Sequence, residues 1–324
     1  MKEKSIILIL IISLILLVSL AACNPKQREE NKKETIEGVK KTEEPIEYTR
    51  EEIMKDFRDI LKSKNEPMSL VEFTDENIAK VEKEDAVEMI MGLENTQIEY
   101  VEKYTDEIFT EDYQSELLRL WELNSTESLF LNMDEIEEVK NEGLKELLGK
   151  LKYGKYKLIM MEGALYPIID YEAMKGYDKY LDDETKSYLD IKSLESNSPS
   201  LIDAAIYVSF DELAARLIKV EDHIKKYPEG SKNEELLRLY STYLKLYLSG
   251  SDNSPIYNYE DKVILEEVLN SYKKTAKNQN SITGEITNKY KEIIENNNNI
   301  IDENVLSKIT ECHNEAIAKL EASK

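Results

Sequence analysis

Between Ser209 and Gly250 the chain spells out two helices and the turn that joins them, and no other feature restricts the fold as strongly. Phe210, Leu213, Leu217, Val220, Ile224 and Tyr227 recur every three or four residues, the spacing that places apolar side chains on one face of an α-helix. Ser209 with Glu212 three residues later reads as a capping box, and Pro228 stops the helix because its ring cannot follow a helical turn. Ser231 and Glu234 read as a second box. Leu236, Tyr240, Tyr243 and Tyr247 then carry the stripe up to Gly250. Two helices of about 18 residues across a Pro-Glu-Gly turn make an antiparallel helical hairpin.

The same periodicity recurs elsewhere. Thr49 and Glu52 form a capping box ahead of Ile53, Phe57 and Ile60. A second stretch from about Thr74 carries Val87, Ile90, Ile98, Val101 and Ile108, a third carries Tyr113, Leu117, Leu120 and Trp121, and a fourth carries Ile136, Leu144, Leu147 and Leu151. Further helices are expected at Asp261 to Ala276, Ile282 to Ile294 and Glu303 to Ala322. Ten glycines and seven prolines are few breakers for 324 residues, and the apolar runs at Leu158 to Met161 and Ala204 to Val208 are short and lack strand alternation. The expected fold is all-α, a stack of antiparallel helical hairpins, with an N-terminal helical region at 49–155 and a C-terminal hairpin region at 156–324. The segment Ala214 to Leu248, with its Lys226-Tyr227-Pro228 stop, resembles a tetratricopeptide-type repeat over about a tenth of the chain. It lacks that repeat's usual Trp and Leu-Gly pair, and no second copy follows at a period of about 34 residues.

The N-terminus reads as a targeting signal. Lys2 and Lys4 precede an uncharged apolar run from Ile6 to Leu20 and then Leu20-Ala21-Ala22-Cys23, the order of n-region, h-region and small-residue cleavage site. The last four residues resemble the lipobox of bacterial lipoproteins. That resemblance implies that Cys23 receives the diacylglyceryl group, palmitate among its acyl chains, and that signal peptidase cuts between Ala22 and Cys23. The alternative is a membrane-spanning anchor, since Ser5 to Ala22 is just long enough for a bilayer core of about 30 Å. Residues 1–22 are then the signal peptide, and 23–48 the lipidated cysteine and a charged tether too polar to order itself. The expected location is the outer face of the cytoplasmic membrane, held by lipid.

A net charge of −23, which becomes −24 once Lys2, Lys4 and Glu3 are removed, disfavours nucleic acid, which binds proteins mainly through Lys and Arg. It leaves room for a divalent cation or a basic protein surface. After lipidation only Cys312 remains, so no internal disulfide forms and an apolar core must hold the body. Cys312 shares an apolar stripe with Val305, Ile309, Ala316 and Leu320 and reads as a small buried hydrophobe. Neighbours in a helix point about 100° apart, so Cys312 and His313 do not make a catalytic pair. His223 lies beside its helix's apolar stripe. The loop Gly250 to Ser254 reads as a turn rather than a calcium loop. The sequence carries no zinc, phosphate-loop or metalloprotease motif and calls for no cofactor.

Two groups stand out as sites. Glu162, Tyr166, Asp170 and Tyr171 flank an expected helix break at Gly163 and Pro167, where they either line a pocket for a cation or polar ligand or simply join two domains. The segment resembles uncharacterised secreted helical proteins, which lend no function. Tyr240, Tyr243 and Tyr247 line one helix face; twenty tyrosines against five phenylalanines suit a wet contact surface. The leading expectation is a non-enzymatic interaction or scaffold module for a protein or peptide. The alternative is a solute- or cation-binding lipoprotein using Glu162 and Asp170, and a helical hydrolase has the least support.

Overall fold

Thr49 opens the first helix as its sequence requires: its hydroxyl accepts from the Glu52 N–H, and the Glu52 carboxylate accepts from the Thr49 N–H at 2.9 Å. The computed structural model describes residues 48–110, 112–124 and 128–323. The expected signal segment at 1–22, its expected cleavage site between Ala22 and Cys23, and all of the expected tether except Tyr48 lie outside the described residues. From the capped start the chain runs through α1 (Arg50–Lys62), α2 (Pro67–Asn77), α3 (Lys83–Ile108), α4 (Tyr113–Asn124) and α5 (Glu142–Tyr153). It continues through a hairpin of β1 (Tyr156–Met161) and β2 (Ala164–Ile169), then α6 (Tyr171–Met174) and α7 (Asp183–Asn197). The remainder is β3 (Leu201–Ile202), β4 (Ala205–Ile206), α8 (Phe210–Lys226), α9 (Asn233–Ser249), β5 (Gly250–Ser251), β6 (Ser254–Pro255), α10 (Glu266–Thr275), α11 (Ile282–Asn296) and α12 (Glu303–Glu321). The fold is all-α, interrupted only by three short two-stranded hairpins among the described residues.

One apolar cluster extends from Met54 to Leu320, and residues 48–324 form one unit. The core is continuous across residue 155: the Tyr156 ring meets Tyr104 edge-on at 5.3 Å, and its hydroxyl donates to the Gln97 carbonyl at 2.7 Å, so β1 is seated in the same core as α3.

α8 and α9 pack along one another as the periodicity dictates. Ser209 caps α8 by accepting from the Glu212 N–H at 3.1 Å. The second expected box does not form, because α9 starts only at Asn233 and Lys232 stands at its cap. The turn is held instead by Asn233, whose amide donates to the carbonyls of Tyr227 and Pro228 at 2.7 and 3.0 Å. Glu221 of α8, fully buried, accepts from the N–H groups of Ile282 and Thr283 at 2.6 and 2.8 Å and from the Thr283 hydroxyl at 2.7 Å. Its carboxylate thus sits on the first turn of α11, where unpaired N–H groups and the helix dipole favour an anion.

The region around Gly163 and Pro167 departs most from expectation. It is a β-hairpin, with Glu162 and Gly163 at φ 49° and 78° as its turn, the two positive values that a tight type I′ connection needs. Leu129 and Leu131 pair with the outer edge of β1 through Met160 and Leu158. Leu158 lies opposite Pro167, so the Pro167 nitrogen faces away from β1 and its missing N–H costs no ladder bond. On that free edge Gln114 satisfies Leu165, accepting from its N–H at 3.0 Å and donating to its carbonyl at 2.8 Å. No helix among the described residues is long and apolar enough to cross a membrane.

Candidate functional site

The sequence-derived cluster at the hairpin does not converge. Glu162 occupies the exposed turn, and Asp170 lies beyond the far end of β2, eight residues away, which is about 25 Å of extended chain. Asp170 caps α6 by accepting from the Ala173 N–H at 3.3 Å and stands 3.5 Å from Lys157. Tyr166 packs on Phe109, ring centroids 5.1 Å apart. Tyr171 is buried and donates to Glu94 at 2.8 Å. These four residues line no shared pocket, and no group of three or more His, Cys, Asp or Glu side chains among the described residues is placed to hold a metal ion.

Tyr240, Tyr243 and Tyr247 do share a helix face, but that face is the core: all three are at most 1% exposed. Each hydroxyl finds a partner on a neighbouring element. Tyr240 meets the Thr283 hydroxyl at 3.0 Å, Tyr243 donates to Glu195 at 2.7 Å, and Tyr247 meets the hydroxyls of Ser271 and Thr275 at 3.0 Å. Burial pushes the Tyr247 phenol up to about 12. The tyrosine excess therefore supplies apolar bulk with a satisfied polar tip inside the stack, and the expected contact face on α9 is withdrawn.

Of the ten large apolar side chains exposed among the described residues, Leu201, Tyr207 and Tyr259 lie at the two smallest hairpins and the grooves beside them. The β3–β4 turn places Asp203 and Ala204 at φ 50° and 59°, and Asp203 ties three turns together. Its carboxylate accepts from the Glu162 N–H at 2.9 Å, and its carbonyl accepts from the Asn253 side-chain amide at 2.7 Å. The Asn253 N–H donates to the Ala204 carbonyl at 3.0 Å, and the Ser254 hydroxyl accepts from the Ile206 N–H at 3.0 Å. The loop at Gly250 to Ser254 is thus a hairpin turn bolted to its neighbours.

Two grooves flank these turns, with Pro255 in the wall of both. One of about 650 Å³ runs between Leu201, Lys245, Leu246, Tyr257, Tyr259 and Leu306. The other, about 850 Å³, includes Ile206, Tyr207, Phe210 and Leu265 and is spanned by Lys274 and Asp211, 2.7 Å apart. Leu201, Tyr207 and Tyr259 are 42%, 55% and 59% exposed at the rims, and Lys262 lies over the rings of both Tyr257 and Tyr259. Val263 and Ile300, paired in an isolated bridge, are exposed beside that turn. Exposed apolar side chains concentrated around a groove are what contact surfaces use. Sequence reasoning missed them because they sit in short hairpins and loops without periodicity; the only signal was Tyr257 and Tyr259 on either side of Asn258, at the start of a polar turn.

Beneath the surface lies a polar network. Glu94, fully buried, accepts from Tyr171, Tyr188 and Lys232, while Glu235 accepts from Lys192 and, at 3.1 Å, from Tyr188. Burial pushes the Glu235 carboxyl up, but Lys192 and Lys232 beside it bring it to a net position below the usual carboxylate range. A second cluster surrounds Glu195, which accepts from Arg216 at 3.1 Å, from the Ser200 N–H and hydroxyl at 2.7 and 2.8 Å, and from Tyr243. His223 faces Ser187, and His313 faces Ser241 at 2.9 Å. Cys312 is buried and free, and burial pushes its thiol up, which makes it unreactive. The chain matches no protein-family model, no curated protein and no solved structure.

Proposed function

We propose that this chain is a lipoprotein anchored through Cys23 outside the cytoplasmic membrane, whose helical body binds a protein or peptide partner at the grooves beside the stitched hairpins. The observation that carries the reading is the concentration of Leu201, Tyr207 and Tyr259 at the groove rims. The partner lays an apolar segment against these side chains, and the polar rim at Lys245 and Asp252 sets its orientation. The packed α8–α9 pair supports the tetratricopeptide-like part of the reading, with the grooves opening from the loops that precede and follow it. The acidic surface steers basic partners toward the body and keeps it from an anionic lipid surface, and two acyl chains on one cysteine suffice for a stable anchor.

The test is photo-crosslinking in intact cells from residues 201 and 259, with the exposed Lys55 position of α1 as control. One adduct specific to the groove positions, lost in a Leu201→Asp variant, is the expected result. The same adducts at position 55, or none at all, would count against the groove. Cys23→Ala is expected to abolish lipid labelling and leave the protein unprocessed or released.

A further inference from the structure

A third cleft, of about 340 Å³, opens against the β1–β2 hairpin, with Ile159 and Met161 of β1 in its wall, between α7 and α9. Its walls include Val101, Pro167, Ile168 and Leu239, and the polar side chains reaching it are Tyr171, Lys192, Glu195 and Ser196. Each of these is already engaged. Tyr171 donates to Glu94, and Ser196 donates to the Ser193 carbonyl at 3.4 Å. Lys192 donates to Glu235 and rests over the Tyr171 ring at 4.9 Å. Glu195 holds Arg216, Tyr243 and both polar groups of Ser200.

The charges behind the cleft also cancel. Lys192 and Lys232 oppose Glu94 and Glu235, and Arg216, itself buried, opposes Glu195. An anion meets no free cation here and is repelled by a chain of net charge −23; a cation meets no free carboxylate. An extended peptide is not taken up by strand pairing either, because Pro167 offers no N–H to the edge and Gln114 occupies Leu165. What remains is an apolar space at the small end of the range for ligand pockets.

We infer that this cleft binds a small uncharged apolar molecule, of the size of one to two aromatic rings or a branched hydrocarbon. The inference is independent of the grooves beside the stitched hairpins. It is tested by calorimetric titration of residues 24–324, which retain the whole core from Ile53 to Leu320, with toluene and indole and with the charged analogues phenylacetate and phenethylammonium. Saturable one-to-one binding of the uncharged pair is expected, with both charged analogues weaker by tenfold or more. Val101→Trp and Leu239→Trp, each placing a ring in the cleft, are expected to weaken binding by tenfold or more. Tyr259→Asp, in the separate groove, should leave it unchanged. If a tryptophan variant fails to fold, methyl shifts of Val101 and Ile168 on adding toluene to the unmodified sequence decide the location. No saturable binding, equal binding of the charged analogues, undiminished binding in the folded tryptophan variants, or toluene shifts elsewhere would overturn it.

Discussion

Acidification tests the packing of α8 at a single residue. His223 is 2% exposed; its Nδ1 lies 2.9 Å from the Ser187 hydroxyl, and its Nε2 has no partner among the described residues. Burial, reinforced by the nearby Lys226 ammonium, pushes its pKa from 6.5 down to about 4. The unfolded chain takes up this proton near the ordinary value while the folded chain refuses it until the lower one. The contribution is therefore present above the unfolded value and is lost as the pH falls through the window toward 4. At about 1.4 kcal/mol per pH unit the full effect is about 3 kcal/mol, of which about 2 kcal/mol disappears between about pH 7 and pH 5. Asp222, whose carboxyl burial pushes up, titrates nearby with the opposite sign, so the comparison must be made against a variant that keeps it. Urea unfolding of the natural sequence and of His223→Gln at both pH values isolates the histidine, since the carboxylates are common to both. The natural sequence is expected to lose about 2 kcal/mol more than the variant over that interval. Equal losses would refute the assignment of a buried, neutral imidazole.

Removing the carboxylate that sits on α11 is expected to be costly: Glu221→Ala leaves the N–H groups of Ile282 and Thr283 without their acceptor, a loss of about 3 kcal/mol measurable by denaturant unfolding. Ala204→Gly should act in the opposite direction, because residue 204 holds φ 59° in an exposed turn; a gain of about 0.5–1 kcal/mol, read as a raised Tm, is expected from relief of that conformation.

The helices were legible where periodicity and caps coincide, as at Thr49 and along Leu213, Leu217, Val220 and Ile224. Hairpins were not, because β1 and β2 are buried strands of six residues whose apolar runs carry no period that separates them from a helix. Pro167 misled for a related reason. It marks a helix break in isolation, yet here it occupies the one strand register where its missing N–H is harmless, and that depends on pairing with Leu158. The site suffered the reverse error. Tyr240, Tyr243 and Tyr247 were recognised as one face, but whether a tyrosine stripe points to solvent or to Thr283, Ser271 and Glu195 is decided by helices far away in sequence. The rim residues Leu201, Tyr207 and Tyr259 become a surface only when Asp203 gathers turns separated by some forty to fifty residues.

The contact between Glu221 and the start of α11 has a topological meaning. It closes a loop 61 residues apart in sequence, and that loop contains all of α9, the β5–β6 turn and α10. In a body whose one cysteine among the described residues is unpaired, the carboxylate acts as a reversible clasp where a disulfide-bonded protein uses a covalent cross-link. Opening it releases both ends of the enclosed segment together, so hydrogen exchange in α9, α10 and α11 should proceed as one cooperative step rather than helix by helix.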